Sequence, residues 1–256
     1  LKKFLYFILF INIVFSQVRI GEFQSISSFV NIQDIALSKD AILYVSNSGF
    51  IEYKNKEQSF NIISIDQGLA FNELNKIYAD FNGNYWIGSN KGIQVWSANE
   101  KKLKEKFDLD IEQVSGFIDY NNLIYASAKL NGEWGLIEFK YIDDKIYYRD
   151  FYSRSDISNI SNITVFNDDI YILSSKRILS GNPFNEHISY WENPMPDLSD
   201  DIIDFSSDEN NLFVLTNSAI HQLFRDKSIE VFINNNSNLG SIKRISILDN
   251  NLYAIS

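Results

Sequence analysis

Apolar and polar residues alternate along this chain in short runs, separated by clusters of Asn, Asp, Gly and Ser. That is the pattern of half-buried β-strands joined by tight turns. One unit recurs: an alternating strand, a polar turn, a second strand with an aromatic near its start, another turn and a third strand. Residues Ile32 to Leu37 lead to Leu43 to Ser46 and then Gly49 to Tyr53. The same order returns at Leu74 to Ala79, Tyr85 to Ser89 and Gly92 to Trp96, and at Val114 to Ile118, Leu123 to Ser127 and Gly135 to Phe139. It returns at Ile160 to Phe166 and Ile170 to Ser174, at Ile202 to Phe205, Leu212 to Thr216 and Ala219 to Leu223, and at Ile242 to Leu248 and Leu252 to Ser256. The aromatic anchors are Tyr44, Trp86, Tyr125, Tyr171, Phe213 and Tyr253, spaced by about 42, 39, 46, 42 and 40 residues. A period near 40 residues is that of a four-stranded propeller blade, whose apolar face is buried only when neighbouring blades stack. The expected fold is all-β: a β-propeller of four-stranded antiparallel blades, with about six repeat units visible and the last one truncated at Ser256.

The turns agree with this. Asn82-Gly83, Asn121-Asn122, Asp168-Asp169 and Asn210-Asn211 fall between adjacent strands, and these residue types tolerate the positive φ of tight hairpins. The nearest approach to a helix is Asn99 to Phe107, which is short and has no apolar stripe. It contains the main basic cluster, Lys101-Lys102-Leu103-Lys104, which reads as a solvated loop or strand edge between Glu100 and Glu105. All three prolines, Pro183, Pro194 and Pro196, fall in the stretch from Asn182 to Ser199, a long excursion from the fourth unit that also holds His187, Trp191 and Met195. Trp191 is the one candidate binding residue, weighed against a purely structural role in pinning that loop.

The N-terminus changes the expected compartment. Lys2 and Lys3 precede an apolar run from Phe4 to Phe15, and Val14 and Ser16 suit the positions before a cleavage site, so residues 1–16 read as a secretory signal peptide and 17–256 as the propeller domain. The run is shorter than the roughly 20 apolar residues of a spanning helix, so no transmembrane helix is expected in the mature chain. There is no cysteine, which excludes both disulfides and a lipidated N-terminal cysteine. A net charge of −10 over 256 residues argues against a nucleic-acid partner, whose phosphates need clustered Lys and Arg.

No catalytic or metal-binding constellation is visible, and no cofactor is expected. The two histidines, His187 and His221, have no acidic residue at metal spacing around them. No phosphate loop, serine elbow or zinc-protease motif occurs. Two carboxylates converging at the centre of a propeller would make an acid–base pair, but sequence alone does not bring them together. Asp80 to Asn84 lacks the distal Glu and the remaining oxygen ligands of a calcium loop, so it reads as a turn.

The stretch Asp80 to Ile93, with Gly83, Trp86, Gly88 and Gly92, resembles the propeller repeat of bacterial two-component regulators, with Tyr85 and Ser89 departing from that pattern. A wider resemblance runs through Ile20 to Ser25, Asp34 to Ala36, Ile65 to Leu69, Ile170 to Ser175 and the Trp191 insertion. In that order the chain is similar to the N-terminal propeller of PorZ-type surface components of the type IX secretion system; Phe23 stands where that family usually has Trp, and Gln67 interrupts its Asp–Gly. This resemblance implies a non-enzymatic protein of the periplasm or outer-membrane surface of a Gram-negative bacterium. Its implied partners are proteins of a surface secretion and attachment complex and lipopolysaccharide. Two alternatives stay open: the extracytoplasmic sensor propeller of a hybrid histidine kinase, and a propeller enzyme acting on polysaccharide.

Overall fold

A computed structural model of the chain describes residues 29, 31–208, 210–234, 242–248 and 251–255. The signal-peptide assignment and the strand expected at Glu22 to Ile26 lie outside them. Among the described residues there is no α-helix; the chain forms six antiparallel sheets in sequence order. The first holds β1 (Ile32–Leu37), β2 (Ala41–Ser46), β3 (Gly49–Lys54) and β4 (Ser59–Ser64). The second holds β5 (Leu74–Ala79), β6 (Asn84–Ser89), β7 (Gly92–Ser97) and β8 (Lys102–Phe107). The third holds the longer strands β9 (Ile111–Tyr120), β10 (Leu123–Leu130), β11 (Glu133–Ile142) and β12 (Lys145–Ser153). The fourth has three strands, β13 (Asn162–Phe166), β14 (Asp169–Ser174) and β15 (Arg177–Gly181). The fifth holds β16 (Ile202–Ser207), β17 (Leu212–Thr216), β18 (Ala219–Leu223) and β19 (Ile229–Asn234), and the sixth pairs β20 (Arg244–Leu248) with β21 (Asn251–Ile255).

The first strand of each sheet packs beside the first strand of the next: β1 on β5, β5 on β9, β9 on β13, β13 on β16 and β16 on β20. Each sheet is a plain meander, so chain order runs outward from that inner strand. Alternation along the second strand then sends successive side chains into opposite seams. Trp86 enters the seam shared with the third sheet, beside Ile124, Ile137 and Phe139. Tyr85 and Ile87 enter the seam shared with the first, beside Leu43, Val45 and Phe50. Tyr125, Tyr171 and Phe213 fill the seam with their following sheet as Trp86 does.

This register corrects one anchor. The residue of the first sheet that enters the following seam is Leu43, fully buried, while Tyr44 points the other way and is half-buried. Aromaticity had marked the wrong member of an adjacent pair; strand parity decides it. Tyr253 keeps the register but is 52% exposed.

One expectation holds and one shifts. The basic stretch is a strand edge: Lys101 sits in the turn and Lys102–Phe107 forms the outer strand β8. Its Leu103 packs against the first seam while Lys104 and Lys106 carry their ammonium groups outward to Asp144 and Asp108. The fourth-sheet turn falls one residue earlier than Asp168-Asp169, at Asn167-Asp168, with φ of 51° and 62°. Asn121-Asn122 makes the same turn with φ of 49° and 62°, as expected of residues that tolerate the left-handed region.

The excursion from Asn182 to Ser199 stands where a fourth strand would lie in the fourth sheet. It touches β15 through a single antiparallel bridge, Ser180 to Glu192, after a short 3-10 turn at Ile188–Tyr190. Trp191 and Ile188 turn inward into the seam between the third and fourth sheets. Gly181 makes this possible, because a Cβ there would lie 2.3 Å from the indole Cδ1. Arg154 fixes the loop from the other side, donating to the Trp191 carbonyl at 2.7 Å and pairing with Asp156.

Candidate recognition cleft

The inner strands bring polar side chains from all six sheets to one centre. A cavity of about 710 Å³ is lined there by Asp34, Lys76, Ser115, Asn162, Asp204 and Arg244, among others. Most of these groups are spent on joining one sheet to the next. Asp34 accepts the backbone N–H of Ile77 at 3.2 Å and pairs with Lys76 at 3.3 Å. Asn162 donates to Asp204 Oδ1 at 2.8 Å, and Asp204 Oδ2 accepts the N–H of Ile245 at 3.1 Å. Asp34 and Asp204 thus make the same clasp in two blades. Burial raises Asp204 above the ordinary carboxylate range, against the pull of its N–H donors. A carboxylate in the middle of an apolar inner strand was the signal for this clasp in the sequence, since a buried acid must find donors.

Toward one end of the inner strands a second cavity, of about 680 Å³, opens between the second and fifth sheets. Its walls include Tyr78, Phe117, Asp119, Thr164, Asp168, Ser207 and Arg225. The outgoing ends of β5, β9, β13 and β16, with the turn after β13 and the turn after β18, place these residues, so the lining comes from four consecutive repeats. Tyr78 and Phe117 stack at 6.5 Å, and the Tyr78 hydroxyl donates to Asp119 Oδ2 at 2.8 Å. Asp119 Oδ1 is buried and has no hydrogen-bond partner among the described residues. Burial pushes Asp119 up to about 6, partly offset by the Tyr78 donor; the neighbouring Asp80 adds to the rise. Burial and Asp119 together push the Tyr78 phenol well above its usual value, so it remains a donor. The cleft therefore combines an aromatic floor, hydroxyls and the Tyr78–Asp119 pair, a surface suited to holding a polar ligand by hydrogen bonds.

Asp119 was not singled out in the sequence. It stands just before Asn121-Asn122 and looks like part of the turn; only the packing of β5 against β9 sets it beside Tyr78. Trp191, the candidate that was singled out, lies elsewhere and is 2% exposed, and its Nε1 has no hydrogen-bond partner among the described residues. The insertion instead exposes Phe184 and Tyr190.

The Asp80 turn is fully committed to structure. Asp80 Oδ1 accepts the N–H groups of Asn82 and Asn84 at 2.9 and 2.8 Å, and Oδ2 accepts Trp86 Nε1 at 2.8 Å and the Tyr141 hydroxyl. Gly83 closes the turn at φ 76°. The Asp, Gly and Trp of the repeat are thus one unit: the turn orients the acid, and the acid orients the indole. Among the described residues no group of three or more His, Cys, Asp or Glu side chains is placed to hold a metal ion. His221 lies in β18, 8% exposed, with its pKa lowered by burial.

No family model and no curated protein matches the chain. Solved structures do. The extracellular domain of the BT4673 one component system from B. thetaiotaomicron aligns with a TM-score of 0.61 at 15% identity, over 90% of this chain and 33% of that one. The WD40 domain of SCAP from fission yeast aligns with a TM-score of 0.55 at 14% identity, over 85% of this chain and 58% of that one. PorZ of Porphyromonas gingivalis, an essential bacterial surface component of the type-IX secretion system, aligns at 12% identity over 87% of this chain and 35% of that one, with a TM-score of 0.45. At these identities the likeness is one of fold, and the BT4673 and SCAP domains support a β-propeller. The chain spans about a third of the length of the BT4673 domain. No described helix is long and apolar enough to cross a membrane.

Proposed function

We propose that this chain is a non-enzymatic recognition propeller exported to the cell surface, acting in type IX secretion assembly or cargo attachment. The observation that carries the recognition part is the division of labour among its carboxylates. Those at the centre, Asp34 and Asp204, are bound to backbone N–H groups of the next sheet. Asp119 instead lines the cleft, paired with the Tyr78 hydroxyl, and its buried Oδ1 has no hydrogen-bond partner among the described residues. Central acids committed to structure and a polar cleft at one end support a ligand-holding reading. The secretion part rests on the order of sequence features shared with PorZ-type propellers.

The sensor reading stays as the second one, supported by the resemblance of Asp80 to Ile93 to the regulator repeat. One experiment separates them. Disruption of the gene in its source bacterium, followed by measurement of surface-attached type IX cargo and of the transcriptome, is expected to leave cargo unattached with transcription largely unchanged. Normal cargo with an altered regulon would replace the first reading by the second.

A further inference from the structure

The third strands of the first and third sheets carry a glutamate at the same register, Glu52 opposite Leu43 and Glu138 opposite Tyr125. Both are buried, at 8% and 4% exposure. Glu138 is surrounded: the hydroxyls of Tyr125 and Tyr152 donate at 2.7 and 3.1 Å, and Arg149 pairs with it at 3.0 Å. Arg149 reaches it because β12 bulges there, pairing Asp150 with Glu138 and Tyr148 with Phe139, so that one extra residue is presented to the carboxylate.

In the first sheet the outer strand is regular. Asn61 faces Glu52 and Phe60 faces Tyr53, with no extra residue between. Glu52 accepts from Asn61 Nδ2 at 2.9 Å and from the Tyr85 hydroxyl at 2.8 Å. Among the described residues no cation pairs with it. Beside it lies a cavity of about 340 Å³, lined by Glu52, Asn61, Ile63, Gln67, Trp96, Ala98 and Lys101. A buried carboxylate has room for about four donors, and burying it without a counter-charge is costly. Ile63, Trp96 and Ala98 supply an apolar wall next to that unmet demand.

We propose that this cavity is a binding pocket for a small organic cation, an alkylammonium or guanidinium group, whose donors take the place beside Glu52 that Arg149 takes beside Glu138. The carboxylate supplies the charge-assisted hydrogen bond, and the apolar wall takes the alkyl stem. Lys101 lines the same cavity, makes no ion pair among the described residues, and is the chain's own competitor for it. The inference does not depend on the proposed secretion role or on the Asp119 cleft.

Titration of the full chain with butylammonium and with butylguanidinium, followed by calorimetry and ligand-observed NMR, tests it; butyrate serves as the control. Saturable binding of a cation and none of butyrate is expected. Glu52→Gln, which keeps the shape and an acceptor, should weaken binding about tenfold or more, as expected for loss of a hydrogen bond to a charged group. Ala98→Leu, which fills the cavity without touching the carboxylate, should abolish it and covers the case in which Glu52→Gln fails to fold. A Gly-Lys-Gly peptide blocked at both ends distinguishes the source: binding comparable to butylammonium assigns a lysine side chain of a partner, and binding of butylammonium alone assigns a free amine. Absence of saturable binding by both cations, or binding unchanged in either variant, overturns the proposal.

Discussion

Asp80 and Asp119 sit on adjacent repeats, close enough for the charge of one to raise the other, yet they have opposite fates. Asp80 is 7% exposed and accepts from two backbone N–H groups, an indole and a phenol. Asp119 accepts from the Tyr78 phenol, is steadied by the Phe81 backbone N–H, and has a buried Oδ1 with no close partner among the described residues. The difference teaches that position in the blade, not residue type, assigns the role. An acid at the start of a hairpin turn is surrounded by the turn's own donors. An acid at the outgoing end of an inner strand meets only what the neighbouring blade happens to offer.

Breaking the structural side of this contrast should produce the largest effects. Trp86→Ala removes the indole that Asp80 orients and that packs on Phe107, Phe117 and Phe139. A loss of about 3–5 kcal/mol is expected by chemical denaturation, as for other buried aromatic truncations. Trp191→Ala belongs to the same class and should cost about as much. If it proves neutral in stability, the inward placement of Trp191 is wrong and a surface role for it returns.

Asp80→Ala should come next, at about 2–4 kcal/mol, because it strands several donors at once. A substitution that costs less than about 0.5 kcal/mol, the range of ordinary surface changes, would show that the turn holds itself without the acid.

Asp119→Asn should be milder and should sharpen the comparison through pH. The folded-state pKa of Asp119 is raised to about 6 from an ordinary 3.8, so the folded state holds a proton that the unfolded state has released. Stability should therefore fall as pH rises from about 4 to about 6 and level off above that, the reverse of a salt-bridged acid. After discounting for partial solvent screening, the span is on the order of 1 kcal/mol. Asp119→Asn should flatten this part of the profile, read from thermal melts across the window. A wild-type profile that rises through the same window contradicts the burial assigned to Asp119.

Much of the fold was legible because the middle strands are short, largely apolar runs, buried on both faces and bounded by turn residues. Leu74 to Ala79, Tyr85 to Ser89 and Gly92 to Trp96 all fall inside the strands that form. Outer strands were harder, since they are largely exposed and the apolar run breaks up. Lys102–Phe107 carries three lysines and one glutamate in six residues and still pairs with β7. The first-sheet anchor was misassigned because Leu43 and Tyr44 are adjacent and only packing reveals which enters the seam. The cleft was not legible at all: its residues come from four repeats, and each alone looks like a strand end or a turn.

The most direct test of the account is the behaviour of an Asp119→Arg allele in the source bacterium, set beside wild type with protein abundance and melting temperature measured in parallel. The substitution puts a long cation into the cleft beside Asp80 and leaves the central clasps intact. The account predicts a folded, abundant protein with a moderately lowered melt and a loss of surface-attached type IX cargo. Normal cargo attachment by a stable, abundant Asp119→Arg protein would contradict it.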